Sequence, residues 1–348
     1  MPSKPRRVTQ REIAELAGVS QTTVSVVLND RDGKNVRIPA ETRARVKAAI
    51  EELTYVADPA ARRLAGLDNQ IIGLFTYEAA LSPESMDFYG PLLNGLERAA
   101  EQVGWDLLFF TSSPVENGTR SLFHRKTRLR LTDGCVLLGQ QMVASELERL
   151  VAEQFPFVAI GRRDETAAAV PYVAIDYVTP ANELMDQAVA HGHQQALYVH
   201  RGTDTPTARD RRLAVEAASA EGRLSFLLVG EERIPELPRL AQATGATVIL
   251  GEDAFLTEDV VHSLTAAGIG VPDEISVAAL AEVRGHRVEG RALAGFHVPR
   301  ERLAAEALDL LQLLIATDPS EWHTLEIRRL LVAEVRSSET IVPRKAQA

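Results

Sequence analysis

The sequence predicts a small all-α head joined to a large α/β body, and three observations predict it. Two short amphipathic helices flank a Gly-containing turn near the start of the chain. From about residue 71, short apolar strands alternate with amphipathic helices. The charge is unevenly divided: residues 1–66 carry twelve Lys/Arg against eight Asp/Glu, net +4, and the remainder 26 against 40, net −14. The total of −10 over 348 residues therefore hides a basic segment attached to an acidic one. Such asymmetry fits a polyanion-binding module on a body that does not bind polyanions, or a solvated helical face rich in Arg, and charge alone does not decide between them. Apolar residues are 45% and charged residues 25% of the chain, a composition that folds into a packed core. No apolar run reaches the ~18 residues of a membrane helix, and the first thirty residues lack an apolar core followed by a cleavage site. The expectation is a cytoplasmic protein with no membrane partner. The one cysteine, Cys135, lies in the apolar run CVLLG and is expected to be a buried structural thiol.

Each element of the head has a local reason. Thr9-Gln10-Arg11-Glu12 is a capping box, with a hydroxyl at the helix start and a carboxylate three residues on. Ile13, Leu16 and Ala17 follow as an apolar stripe, and Gly18 ends the helix. Ser20 is placed to cap a second helix, in which Val24, Val27 and Leu28 point inward. Gln21, Thr22, Ser25, Val26 and Asn29 are left on the other side. This is a helix-turn-helix pattern, whose second helix would enter the major groove of duplex DNA. Gln21 can pair with adenine, Thr22 and Ser25 can contact bases or phosphates, and Val26 offers only apolar contact, for instance to a thymine methyl. Thr23 and Ser25 suit backbone phosphates, which position without specifying. A third helix is expected from about Pro39 to Leu53, packing through Val46, Ile50 and Leu53.

In the body, the expected strands are IIGLFT (71–76), WDLLFFT (105–111), CVLLG (135–139), FPFVAIG (155–161) and YVAID (172–176). ALYVH (196–200), LSFLLVG (224–230), ATVILG (246–251) and EISVAAL (274–280) follow. A helix is expected around Phe88–Val103, and another helical stretch after WDLLFFT. About 270 residues is long for one doubly wound sheet, so two lobes are expected. The segment Gly161–Val170, rich in Arg, Asp, Glu and Ala, is the expected crossover between them. His191-x-His193 has metal-like spacing but no further His or Cys nearby, and no nucleotide-binding glycine loop or nucleophile motif occurs. No cofactor, no metal and no enzyme activity are expected.

The stretch VTQREIAELAGVSQTTVSVVLND resembles the opening of the LacI/GalR family of bacterial transcriptional regulators. IPAETRARVKAAIEELTYVADPAARRLAG continues the likeness in register, through the family's third helix and hinge helix. The pattern AGVS-x-x-TVS with a downstream Y-x-x-x-x-x-A-x-x-L is specific because it joins two DNA-contacting elements at fixed spacing. The resemblance implies the domains 1–57 (helix-turn-helix), 58–69 (hinge helix and linker) and 70–348 (a two-lobed, periplasmic-binding-protein-like body for effector binding and dimerisation). The lobes would be about 70–161 with 292–318, and 162–291 with 319–342. It places Leu64 as a wedge prying at the minor groove, with Ala61 small enough for close approach. Val26 stands where many members carry Arg, which implies a different base preference.

Across the body the likeness is looser. SPESMDFYGPLLNGLERAAEQVGW, ARDRRLAVEAASAEG, GIGVPDEISVAAL and ALAGFHVPRERLAAEALDLLQLLI match family segments. They imply an effector site in the interlobe cleft, with Phe88, Tyr89, Arg212 and Glu252 facing it. Two positions depart from the family: Ala281 replaces a carboxylate that usually takes sugar hydroxyls, and Glu252-Asp253 stands where many members have Asn-Asp. The resemblance thus implies a sequence-specific homodimeric repressor on a pseudo-palindromic operator in double-stranded DNA, modulated by a small-molecule effector. The alternatives are a DNA-binding regulator whose body is ligand-independent, and a small-molecule binding protein that does not bind DNA.

Overall fold

The structure is a computed structural model that describes residues 8–28, 38–53, 55, 68–116, 118–164, 166–337 and 339–344. It divides into two compact units, Met1–Ile71 and Ile72–Ala348. Asn29, Ala61 and Leu64, and the segment expected to form a hinge helix, lie outside the described residues.

The first unit holds three helices: α1 (Gln10–Ala17), α2 (Gln21–Leu28) and α3 (Ala40–Glu52). The capping box forms as expected: Glu12 N donates to Thr9 Oγ1 at 3.4 Å, and Thr9 N donates to the Glu12 carboxylate at 2.8 Å. Gly18 takes φ 65° at the end of α1, a left-handed conformation that a side chain disfavours. Pro39 precedes α3 as its cap residue instead of occupying its first turn. Ile13, Ala14, Ala17, Val24, Val27, Val46 and Ala49 make the core. Leu16, expected to point inward, is 48% exposed, and Ala14 takes its place on the buried stripe.

The second unit contains two six-stranded sheets. The first has the order β13-β5-β4-β3-β1-β2, where β1 is Ile71–Thr76, β2 Asp106–Phe109, β3 Gly134–Leu138, β4 Phe157–Ile160, β5 Tyr172–Asp176 and β13 Arg328–Val332. The second has the order β14-β12-β9-β8-β6-β7, from β6 (Gln195–His200), β7 (Ser225–Gly230), β8 (Val248–Gly251), β9 (Ser276–Glu282), β12 (Ala294–His297) and β14 (Glu334–Ser337). A small ribbon pairs β10 (Arg287–Val288) with β11 (Arg291–Ala292). The pairs inside each sheet are parallel, apart from antiparallel β12 with β14. Central strands such as β3 and β8 are buried along their whole length, as sheets covered on both faces require.

Helices α4 (Pro83–Val103), α5 (Ala144–Ala152), α6 (Val178–Ala190), α7 (Pro206–Ala220), α8 (Leu237–Thr244), α9 (Ala254–Ala266) and α10 (Arg300–Ala316) cover the sheets. Where α4 crosses α10, a Cβ on Gly95 would sit 2.5 Å from the Glu301 carbonyl oxygen, so only glycine lets these helices approach. Cys135 is fully buried in the first lobe, and burial pushes its thiol up, away from the reactive thiolate.

Two expectations are corrected. The segment after β2 is not a helix: the described residues 110–116 and 118–133 hold no α-helix, only one 3₁₀ turn at Leu129–Leu131 and an isolated bridge between Glu116 and Thr119. It is held from below by the buried Glu146 carboxylate, which accepts from Ser121 Oγ at 2.6 Å and from Leu122 N at 3.0 Å. The lobe boundaries also move. Gly161–Val170 connects β4 to β5 inside the first lobe, because β5 pairs with β4 and β13 there. The first crossing comes at Asp176, whose carboxylate caps the next helix by accepting from Val178 N at 2.8 Å. β12 belongs to the second sheet, and the chain returns at Val298–Pro299 to form α10 over β3, β4 and β5. The last crossing lies at Ala333, between β13 in one sheet and β14 in the other.

Candidate DNA-reading face and interlobe cleft

On α2, Gln21 and Thr22 are exposed, while Ser25 and Val26 are half-buried. Val24 and Val27 fill the core behind them, so the helix presents a polar N-terminal edge. Ser20 caps this helix, accepting from Thr23 N at 3.1 Å, and its hydroxyl lies 2.9 Å from that of Thr23. The hydroxyls of Thr9, Ser20 and Thr23 are thus already engaged in capping. Gln21 and Thr22 are the two residues of this edge that are exposed.

In the body, Glu252 follows the carboxyl end of β8, where open α/β sheets bind ligands, while Phe88 and Tyr89 lie on α4 and Arg212 on α7. Tyr89 is 3% exposed and donates from its hydroxyl to Glu78 Oε2 at 2.5 Å. Burial and that carboxylate push its phenol well above the usual range. Glu78 in turn accepts from Gln140 N at 3.0 Å. Phe88 is exposed, packs edge-on against Tyr89 and lies 5.3 Å under the Arg300 guanidinium. Arg300 pairs with Glu282 at the end of β9, and Glu282 also accepts from Val298 N at 2.9 Å, so this carboxylate fixes one interlobe crossing.

Arg212, expected to face the cleft, and its neighbour Arg211 differ in burial. Arg212 donates to the Thr203 carbonyl at 3.4 Å on the helix flank. Arg211 is the buried one, at 9% exposure. Its Nε donates to the Leu280 carbonyl at 2.6 Å, and its guanidinium lies 4.5 Å over the Tyr177 ring at the first crossing. Helical spacing explains the difference: Arg211 shares its face with the buried Ala214, Val215 and Ala218 of α7. The signal was in the sequence, as the three- and four-residue apolar spacing counted back from Ala218.

Glu252 is 6% exposed at the end of β8 and accepts from Arg201 N at 3.0 Å. Its neighbour Asp253 caps α9 through Leu256 N and takes Arg201 Nε at 2.7 Å. Burial alone would raise the Asp253 carboxyl, but the Arg201 bond, the Leu256 amide and the Arg201 charge together hold it below the ordinary range. Sequence reasoning missed Arg162, which reaches from the loop after β4 to Asp210 on α7. It also missed Tyr177 under Arg211. His193 is part of a structural clasp, with Nδ1 2.7 Å from Thr247 Oγ1 and Nε2 3.0 Å from the Val342 carbonyl. Among the described residues no group of three metal-ligating side chains is assembled, and no helix is long and apolar enough to cross a membrane.

Fold and site define a class: a helix-turn-helix head on a body of the periplasmic-binding-protein kind. The family model for bacterial regulatory proteins of the lacI family matches residues 9–58. That for periplasmic binding proteins and the sugar binding domain of the LacI family matches residues 79–316. The chain belongs to the LacI family. It is 35% identical over 186 residues to the sucrose operon repressor of Klebsiella pneumoniae, a match that spans 53% of this chain and 52% of that one. It is 26% identical to the transcriptional repressor PurR of Edwardsiella ictaluri over 93% of this chain and 95% of that one. The lac repressor dimer bound to operator and the anti-inducer ONPF has the same fold, with TM-score 0.69 at 19% identity over 97% of this chain and 100% of that one. So does the regulator CelR in complex with cellobiose, with TM-score 0.57 at 22% identity over 96% of this chain and 100% of that one.

Proposed function

We propose that this chain is a sequence-specific DNA-binding transcriptional repressor that acts as a cytoplasmic homodimer on a pseudo-palindromic operator. Its operator affinity is set by a small molecule in the interlobe cleft. The observation that carries the reading is the joining, in one chain, of a capped helix-turn-helix with an exposed Gln21-Thr22 edge to a body with a buried arginine at the seam of its lobes. The repressor relatives and the operator-bound lac repressor support the DNA partner and the dimer.

In this reading Gln21, Thr22 and Val26 face bases, while Thr9, Ser20, Thr23, Ser25 and Asn29 lie along the backbone. Leu64 and Ala61 enter the minor groove. Arg211 takes the ligand role first expected of Arg212, alongside Phe88, Tyr89 and Glu252. A guanidinium backed by a tyrosine ring suits a hydroxyl pair or a carboxylate. Ala281 in place of the family carboxylate removes one acceptor for sugar hydroxyls. The ligand moves the equilibrium only by binding the two lobe arrangements with different affinity. The protein acts by binding, without catalysis.

The test is to select an operator from random duplexes and titrate it with the protein across sugars, nucleosides and amino-acid metabolites. The reading expects nanomolar-range selection of a two-fold-related sequence and at least one compound that shifts its affinity. Unchanged affinity with compounds shown to occupy the protein would refute effector control and leave DNA binding standing.

A further inference from the structure

Resting on the reading of the cleft as an effector site, we propose that Arg162 and Asp210 form an interlobe latch that sets the resting separation of the lobes, and that a ligand entering the cleft must displace. Arg162 follows β4 in the first lobe, and Asp210 sits on α7 in the second. Arg162 Nη1 donates to both carboxylate oxygens of Asp210, at 2.9 and 3.1 Å. Neither residue lies on the three segments where the chain crosses between lobes, so the bond spans the opening and not its base. The Glu282–Arg300 pair differs in this respect, because it sits beside the crossing at Val298–Pro299.

The two ends of the latch are unequal. Arg162 is 31% exposed and keeps a second carboxylate of its own lobe, since its Nε donates to Asp164 Oδ2 at 2.8 Å. Asp164 is itself held by the Tyr172 hydroxyl at 2.9 Å and lies 3.6 Å from Arg328. The guanidinium is therefore aimed from a fixed mount. The Asp210 side chain is 7% exposed, and among the described residues Arg162 is its one hydrogen-bond partner. Asp176 and Asp164 both face it with like charge. Parting the lobes without water or a ligand donor would strand a buried carboxylate, which is strongly unfavourable. Parting them leaves Arg162 satisfied by Asp164. The closed arrangement is thus stabilised mainly from the Asp210 side. A ligand that brings its own donors to Asp210 relieves that penalty, which gives it the differential affinity for two lobe arrangements that a switch requires.

The test uses the full chain, free of ligand and DNA, with nitroxide labels on Glu148→Cys in α5 and Glu216→Cys in α7. Both positions are exposed, and buried Cys135 stays unlabelled. Doubly labelled protein diluted into unlabelled protein reports the distance within one subunit. Asp210→Ala and Arg162→Met are each expected to move the distance distribution to longer separations. Asp186→Asn removes an ion pair with Arg223 inside the second lobe and is expected to leave the distribution in place. Arg162→Met changes a part-exposed side chain and keeps the test open if Asp210→Ala impairs folding. A wild-type distribution in folded Arg162→Met overturns the latch. That result leaves the effector reading intact, since that stands or falls on the ligand titration of operator binding.

Discussion

The head builds its core from three helices successive in sequence, on which Ile13, Val24 and Val46 meet. The body does the reverse. Tyr172 of β5 lies beside Arg328 of β13, and β14 closes a sheet whose other strands begin at Gln195. The chain passes between the body's lobes three times, so neither lobe is a continuous piece of sequence. A short-range core can be read from local spacing and lost by a single residue. A long-range core distributes its stability over many strands and couples the two lobes through the crossings.

The sharpest way to break this comparison is Val24→Asp. A charge placed at the centre of a seven-residue core should unfold the head and abolish specific DNA binding. The body should still melt cooperatively, as seen by calorimetry; loss of both transitions would contradict their independence. The mirror experiment is Leu250→Ala in fully buried β8. It should cost the body about 2–5 kcal/mol in denaturant unfolding and leave the head's transition unchanged.

Legibility follows the same division. The capping box, the Gly18 stop and the Ser20 cap were readable because each depends on residues within four positions of one another. Nine strand cores of the body, β1 to β9, were readable as apolar runs, and β1 and β5 match their expected limits, whereas β12, β13 and β14 were not foreseen. What escaped was set by distance. Nothing local says that β5 pairs with β4 before the chain crosses, or that Arg162 finds Asp210. The inward positions of α1 and α7 were hard to read for a subtler reason, at Leu16 and Arg212. Each lies one helical step from the buried stripe, and the residues that win the inward positions, Ala14 and Arg211, are fixed by what packs opposite them. The segment after β2 lost its expected helix to a buried acceptor, Glu146, that satisfies its backbone.

A smaller effect sharpens the account of the head. Thr9→Ala removes the reciprocal cap of α1 and should lower the head's stability by about 1 kcal/mol, measured in the head's own transition. The smallest contrast is with pH. All eight histidines lie in the body. Burial holds His193 below its ordinary 6.5, with the positive charges of His191 and Arg344 pushing the same way against the Val342 hydrogen bond. Because the folded state resists the proton, its contribution is complete above 6.5 and is lost as pH falls below it toward the depressed value. The body's melting temperature should therefore drop between pH 7.5 and 5.5 more than the head's, and His193→Gln should flatten that drop. Equal slopes in wild type and variant would place the titration elsewhere.

The central claim is that α2 reads sequence through Gln21, Thr22 and Val26. It is tested most directly by selecting preferred duplexes for the wild type and for Val26→Arg from the same random pool. The account predicts a two-fold-related motif for the wild type and a changed base at one symmetric position in the variant. No enrichment over scrambled competitor, or identical motifs for both proteins, would contradict it.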